Sequence, residues 1–291
     1  MNYKHFIELV TLSAIWGASF MFMRIASPEL GPVTLISFRA GIGFLTLLPF
    51  LLFYKQQQQI IAHWRSILIV ALTNTAIPFV LFAFATLTLS AGLTSVLNAT
   101  APIFTALVAY IWFRERLTTK KTIGLIVGFL GVIALFIGKG NLRFDATALA
   151  IVAALLAALN YGYAACYAKI KLAGVPPLVI ATGSQFFATL VLLPILPFVW
   201  PQETISNTAI YATIILGVLC TALAYIFYFR LLASLGPEKA ITVTYLIPVF
   251  GIAWGMLFLA EQLSLAIIFG TALILLGVGL TTGLFSKKIK T

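Results

Sequence analysis

Three polar side chains lie in otherwise apolar runs, each four residues before a proline. Asn98 precedes Pro102, and the same spacing recurs at Asn74–Pro78 and Thr244–Pro248. Residues four apart share a helix face, and the proline removes a backbone donor and frees a carbonyl close to the polar side chain. We therefore predict ligand contacts at Asn74, Asn98 and Thr244 and helix kinks at the prolines. The alternative is that these polar groups bond across helices for structural reasons.

Five aromatic residues with polar tips also fall well inside apolar runs: Trp16, Tyr161, Tyr225, Tyr228 and Tyr245. An amphipathic ring can stack on a bound molecule and still present one O–H or N–H group to it. We count all five as candidate substrate-binding residues. Ordinary packing of the helix core is the competing interpretation.

Arg39 is the one basic residue deep inside an apolar run, about 10 Å from the nearer end at 1.5 Å per residue. An arginine at that depth must snorkel, pair or bond backbone carbonyls. Two roles stay open at this point. Arg39 either ties neighbouring helices together or binds the carboxylate of a substrate.

Groups that would support catalysis or metal binding are scarce in the apolar runs. Of seven acidic residues only Glu8 falls within a predicted span, and both histidines lie outside. Cys166 and Cys220 read as small core residues, and no GxxxxGK[ST] phosphate loop is present. We expect no catalytic residue, no metal site and no cofactor, so the chain is not an enzyme. Without a carboxylate in the pathway, facilitated movement is favoured over proton coupling, unless Glu8 serves.

The composition requires a membrane. The chain is 62% hydrophobic and 9% charged, with a mean hydropathy of +1.11, which a soluble domain does not show. The apolar runs are continuous, which disfavours a β-barrel. About 20 residues cross the hydrocarbon core, so we predict ten helical spans: 6–26, 32–53, 67–89, 92–113, 121–138, 147–169, 176–199, 208–232, 239–259 and 264–285.

The chain repeats itself at a spacing of 146 residues. Pro102 matches Pro248 and Glu115 matches Glu261, and no gap is needed from Leu89 to Gly131. An earlier segment matches at 145, with Gly17 on Gly162. Each half holds five spans, and an odd number inverts the second copy, an arrangement found in transporters. For the paired glutamates we favour a turn-closing role over gating, with Thr118 and Ser264 capping the following helices.

Basic residues predict the orientation. Fourteen of the 18 Lys and Arg residues fall on the side that holds the N-terminus, so both termini are expected to be cytoplasmic. The flanking Arg114 and Arg116 become Ala260 and Gln262 in the second copy, as expected if that loop faces outside. The net charge of +11 is thus a topology signal, and we expect no nucleic-acid partner.

The combination Trp16-Gly17-Ala18-Ser19-Phe20, Phe38-Arg39-Ala40 and Pro102 through Glu115-Arg116-Leu117 resembles the EamA family of the drug/metabolite transporter superfamily. The late motif recurs as Tyr245-Leu246-Ile247-Pro248 with Glu261-Gln262-Leu263. The resemblance implies ten helices with cytoplasmic termini, often exporting amino acids or related metabolites. It also implies that helices 1, 3, 4, 6, 8 and 9 surround a central cavity. Tyr161 stands where the first half has Trp16.

We therefore expect an all-α polytopic membrane protein of ten transmembrane helices, arranged as two inverted five-helix repeats around a central cavity. The repeats are 1–140 and 141–291. The predicted function is an inner-membrane transporter that exports small metabolites such as amino acids by alternating access. Export of larger organic compounds or drugs, or a non-transporting membrane scaffold, are the alternatives. The expected partners are a small-molecule substrate and the lipid bilayer, and the chain is compatible with a monomer.

Overall fold

The computed structural model describes residues 3–114, 117–137, 145–236, 240 and 242–282. Over these ranges the protein is helical, with nine helices long and apolar enough to cross a membrane and one shorter apolar helix. The ten are numbered as spans 1 to 10: Tyr3–Leu30, Pro32–Phe53, Trp64–Ala85, Ala91–Phe113, Thr119–Ile137, Ala146–Lys171, Pro177–Val199, Asn207–Leu235, Val243–Leu259 and Leu265–Thr282. A short helix, Gln57–Ala62, precedes span 3. The predicted all-helical membrane fold is confirmed, with helix ends shifted by a few residues.

The contacts between spans obey an approximate twofold relation. Span 1 packs on span 9 as span 6 packs on span 4, and span 8 packs on span 1 as span 3 packs on span 6. Spans 2 and 7, 4 and 9, and 5 and 10 pack on their own counterparts. Exchanging the two halves therefore maps the two contacts in each of the first comparisons onto each other, and each of these three counterpart pairs onto itself. Because five spans precede span 6, the second half runs in the opposite direction through the membrane.

The glycines at the contact between spans 5 and 10 show that these two spans are antiparallel. A Cβ atom on Gly124 would meet the backbone of Gly277, and one on Gly131 would meet the backbone of Gly270. The repeat matches Gly124 with Gly270 and Gly131 with Gly277, so the structural contacts run crosswise. Early residues face late residues only when the two helices are antiparallel. Small residues here let the two backbones approach closely, as is typical between membrane helices.

A second pair of glycines extends the same relation to the earlier segment. Gly17 packs against Phe250 and Gly251 of span 9, and Gly162 packs against Phe104 and Thr105 of span 4. Phe104 and Thr105 are the 146-residue counterparts of Phe250 and Gly251. The match at spacing 145 thus corresponds to equivalent packing positions.

Several spans are interrupted, and the prolines explain only some of the interruptions. Span 4 consists of Ala91–Asn98 and Ala101–Phe113, with Pro102 in the first turn of its second segment. Spans 3 and 8 contain π-helical segments at matching positions, Ala71–Ala76 and Val218–Leu223. Pro78 follows the first of these segments. The π segments carry no sequence signal that we recognised.

The helix through Pro248 is uninterrupted, and the kink expected there stays a prediction. Span 9 is one continuous helix that begins at Val243 and passes through Pro248. The carbonyl that this proline leaves without its usual donor is that of Thr244, which lies in the first turn. Span 9 therefore lacks the interruption that divides span 4 at the matching position.

Replacing Gly277 by Ala should destabilise the protein, because the new Cβ would lie 2.5 Å from Gly128 N and 2.6 Å from Gly124 O. Backbone atoms cannot rotate away, so we expect a loss of about 1–3 kcal/mol, the cost typical of overpacking. The matched control is Gly41→Ala, whose Cβ would meet only Thr189 at 3.6 Å. The thermal midpoint in detergent should fall for Gly277→Ala and stay within error for Gly41→Ala. Equal midpoints would contradict the close backbone packing of spans 5 and 10.

Candidate functional site

A central cavity of about 1090 Å³ lies between the two halves. Spans 1, 3, 4, 6, 8 and 9 supply most of its wall, as the family resemblance implied. Span 2 adds Arg39, and spans 5 and 10 contribute Lys121, Thr281 and Thr282 at one end. A volume of this size can hold a metabolite or a larger organic molecule.

The structure brings all the predicted binding residues to this one cavity. Its lining includes Arg39, Pro102 and the eight candidates Trp16, Asn74, Asn98, Tyr161, Tyr225, Tyr228, Thr244 and Tyr245. Pro78 and Pro248 do not line it and are buried in the helix packing. These two prolines therefore shape the spans without touching the cavity.

Aromatic rings form much of the cavity wall. Trp16 packs on Tyr228 with ring centroids 5.4 Å apart, and Tyr161 lies 5.8 Å from Phe82 and 6.5 Å from Phe79. Asn74, within the π segment of span 3, hydrogen-bonds the side chain of Tyr225 from span 8. The wall thus combines apolar ring faces with a few fixed polar groups, the usual composition of a small-molecule site.

Arg39 is held in the cavity wall by a chain of contacts from three other spans. Its side chain is only 4% exposed. Nε donates to the Thr221 hydroxyl at 3.0 Å, and that hydroxyl donates to the Leu216 carbonyl at 2.8 Å. Nη1 approaches the sulfur of Met23 at 3.7 Å, and the guanidinium carbon lies 3.9 Å from the ring centre of Phe79. The π segment of span 8 therefore positions the guanidinium group.

The two ends of the cavity differ. We call the side that holds the start of span 1 the N side, and the opposite side the far side. Lining residues extend to the N side, where Phe113 ends span 4, Lys121 lies near the start of span 5 and Lys169 near the end of span 6. At the far side spans 4 and 9 are in contact: a Cβ atom on Gly92 would lie 3.2 Å from the Cα of Ile252. The described lining therefore extends to the N side, whereas the contact of spans 4 and 9 bounds the cavity at the far side.

Two carboxylates join the halves at the far side. Glu261 accepts the backbone N–H groups of Ala91 and Gly92 at 2.6 and 3.2 Å, at the start of span 4. Glu29 accepts the N–H and the hydroxyl of Ser206, the N-cap of span 8, at 2.7 and 2.8 Å. Helix N-termini favour negative charge. We name these two contacts the far-side latches.

The glutamate contacts only partly match the expected turn-closing role. Glu261 reaches across to the other half instead of closing its own turn, while Ser264 accepts the N–H of Ile267 at the start of span 10. Thr118 likewise accepts the N–H of Lys121. Glu115 lies outside the described residues.

Acidic groups do not reach the described wall of the cavity. Glu8 instead bonds Arg230 at 2.8 Å and lies 3.5 Å from His5. No Asp or Glu occurs among the described residues that line the cavity. Within the same described ranges no cluster of metal-ligating side chains is found.

Sequence reasoning missed several lining residues, notably Phe79, Phe82, Cys220 and Thr221. The sequence did contain a signal for Thr221. Its 146-residue counterpart is Thr75, which is adjacent to the candidate residue Asn74. A phenylalanine facing a cavity has no distinguishing signal in a chain with 24 of them.

Comparison with known proteins supports the assignment of the fold and the family. The model of the EamA-like transporter family matches twice, over residues 6–137 and 148–283. A Bacillus subtilis (strain 168) protein, the uncharacterized transporter YoaV, is 26% identical over 98% of this chain and 99% of its own length. A solved crystal structure of a protein superposes with a TM-score of 0.69 at 16% identity and covers 98% of both chains, which shows the fold.

One further relative has a named substrate. The protein named "Probable terminal-alkyne amino-acid exporter" from Streptantibioticus cattleyicolor is 29% identical over 65% of this chain and 63% of its own length. Since the family model covers nearly the whole chain in two copies, this multi-pass membrane protein belongs to the EamA-like transporter family.

Proposed function

We propose that this transporter exports small metabolites such as amino acids by alternating access, with the two halves rocking about the central cavity. One observation carries the proposal: two halves related by an approximate twofold axis close the cavity at one side and open it at the other. The similarity to a protein named as an amino-acid exporter supports the substrate class. The candidate binding residues are those that line the cavity, with Asn98 and Thr244 as a twofold pair.

The alternative state follows from exchanging the roles of the halves. Val96, in the far-side segment of span 4, is fully buried, whereas its 146-residue counterpart Thr242 lines the cavity. Gly251 packs against Ser95, whereas its counterpart Thr105 lines the cavity. If each half adopted the other's packing, the N side would close and the far side would open. The sequence similarity of the halves makes the two arrangements close in energy.

We further propose that the N side is cytoplasmic, with both termini in the cytoplasm of a bacterium and the chain in its inner membrane. The excess of Lys and Arg on that side supports this orientation. The moving units are the halves 1–140 and 141–291. In this orientation the structure corresponds to an inward-open state, in which the far-side latches prevent access from outside.

The chemistry of the cavity supports facilitated transport. Proton-coupled carriers place carboxylates or histidines in the pathway, and the described lining contains neither. Glu8 is paired with Arg230 and does not line the cavity.

Export of larger organic compounds is the second candidate function. It is favoured by the cavity volume of about 1090 Å³, which is larger than one amino acid requires.

Alternating access predicts that cysteines at Asn98 and Thr244 react with membrane-impermeant thiol reagents from both sides of the membrane. Both positions line the cavity in this state. Because they are repeat counterparts, each would take the other's position, and so still line the cavity, after the two halves exchange their packing. Cys166 and Cys220 also line the cavity, so the background is Cys166→Ala/Cys220→Ala. A cysteine replacing Thr242 should react only from the cytoplasmic side. Labelling of all three from one side alone would indicate a scaffold with a fixed cavity.

Weakening the far-side latches should shift the population toward the outward-open state. In a Glu29→Gln/Glu261→Gln variant, a cysteine replacing Val96 should react from outside roughly tenfold faster. A hydrogen bond to a charged group contributes about 1.5–3 kcal/mol, and 1.4 kcal/mol corresponds to tenfold. The control is Glu203→Gln, which removes an exposed carboxylate on the same side. An unchanged rate in the double variant would remove the latches from the mechanism.

Trp16→Ala and Asn98→Ala should each reduce flux of labelled amino acids in proteoliposomes by about 3- to 10-fold. The lost ring contact and the lost hydrogen bond are each worth about 0.5–1.5 kcal/mol. Trp64→Ala is the matched control, because Trp64 is 46% exposed and does not line the cavity. An imposed pH gradient should not cause accumulation if transport is facilitated. Unchanged flux in both cavity variants would disprove the site assignment.

A further inference from the structure

Every charged side chain among the described residues that line the cavity is basic, and this narrows the class of substrate. Building on the proposed function, we propose that the cavity recognises organic carboxylates, with the Arg39 guanidinium as the carboxylate anchor. A substrate ammonium group is not required. Amino acids are then one subset of a wider class that includes anions lacking the amino group.

The guanidinium group of Arg39 has donors to spare. Arginine carries five N–H donors; one is bonded to the Thr221 hydroxyl and one points at the Met23 sulfur. The remaining three N–H groups belong to Nη1 and Nη2 and have no oxygen acceptor among the described residues. An Nη1–Nη2 edge whose donors are free presents the parallel pair that binds a carboxylate in bidentate fashion.

Within the described part of the chain, Arg39 has neither an acidic neighbour nor a backbone carbonyl as hydrogen-bond acceptor. Within the described part of the chain no carboxylate lies within ion-pair distance of its guanidinium, which instead rests on the ring of Phe79. A buried, hydrogen-bonded cation without a counter-ion is costly. By contrast, Arg24 uses its Nη1 to bond the carbonyls of Thr86 and Leu87 at 2.5 and 2.7 Å. A bound carboxylate would supply the counter-charge that Arg39 lacks.

Two further basic residues occur in the described lining on the N side of Arg39. Lys121 and Lys169 line the cavity near its opening. Clefts lined by one sign of charge concentrate ligands of the opposite sign. The described lining offers an incoming ammonium group only neutral oxygens and aromatic faces, such as Trp16 and Tyr228. The carboxylate is therefore the charged group of the ligand that this cavity recognises.

The residues around Arg39 indicate what the rest of the ligand looks like. Phe79, Phe82 and Tyr161 form a cluster of rings beside the guanidinium. The side chains of Tyr225 and Asn74 are hydrogen-bonded to each other. An apolar or aromatic body attached to the carboxylate suits this wall better than a second charged group.

A panel of four matched ligands separates the two charged groups of an amino acid. Hydrocinnamate has the carboxylate only, phenylalanine has both groups, phenethylamine has the ammonium only, and hydrocinnamamide has neither. Binding is measured by titration calorimetry on the purified full-length protein in nanodiscs. A parallel series built on leucine repeats the design with an aliphatic body.

We expect the two carboxylates to bind with similar affinity, and the other two compounds to bind roughly ten- to a hundredfold more weakly. This range corresponds to the usual contribution of a hydrogen bond to a charged group. Equal binding of all four compounds, tighter binding of the ammonium compounds, or no binding of the carboxylates in either series overturns the proposal.

Substitution of Arg39 tests the anchor itself. Arg39→Gln should remove the preference for the carboxylates, and Arg39→Lys should retain part of it, because the charge remains but the bidentate edge is lost. Arg65→Gln is the matched control, since Arg65 is exposed and lies outside the cavity. A carboxylate preference that survives in Arg39→Gln overturns the assignment to Arg39. If Arg39→Gln does not fold, the ligand panel on the natural protein still decides.

The ligand panel and the two-sided cysteine labelling together distinguish failure of the carboxylate anchor from failure of the proposed transport function. Equal binding of all four ligands with normal two-sided labelling would leave a transporter without a carboxylate anchor. A carboxylate preference with labelling from one side only would leave a carboxylate-binding membrane protein that does not transport.

Discussion

The structure depends on one constraint: lipid offers no partner for backbone hydrogen bonds, so each crossing must be a helix. With five crossings per repeat, the second copy must enter from the opposite side. The crosswise contacts of Gly124 with Gly277 and of Gly131 with Gly270 follow from that inversion. So do the exchanged contacts of span 1 with span 9 and span 6 with span 4. The central cavity is the space that these paired contacts leave between the halves.

Exchange of the halves preserves the pairing of spans but not the packing of their ends. Spans 4 and 9 meet at the far side, while their counterpart segments diverge at the N side and expose Thr105 and Thr242 to the cavity. The proposed alternating-access mechanism requires such a difference between equivalent positions. The latches from Glu29 and Glu261 use the unsatisfied N–H groups at helix starts, groups that another carboxylate or water can also satisfy.

The departures from regular helix lie where the function is expected. Asn74 in the π segment of span 3 hydrogen-bonds Tyr225, which follows the π segment of span 8, and that second segment presents Thr221 to Arg39. π segments are frequent at functional sites because they redirect a side chain and free a carbonyl. Arg39 is the one deeply buried cation of the described wall, and its immobilisation by Thr221 and Phe79 gives the cavity a fixed positive point. An apolar wall with one fixed charge discriminates between ligands by charge as well as by shape.

The sequence alone determined the number of spans, their positions and the inversion, because hydrophobic length and the 146-residue repeat both follow directly from the order of residues. It also pointed to the eight candidate residues, since a polar group in lipid needs a reason and the chain holds few of them. Only the tertiary structure decided that these residues share one cavity and that Pro78 and Pro248 stay outside it. It also decided that Arg39 has no acidic neighbour among the described residues and that Glu261 bonds the other half. Such facts depend on how helices far apart in the chain rotate and pack, and a local pattern carries no information about that rotation.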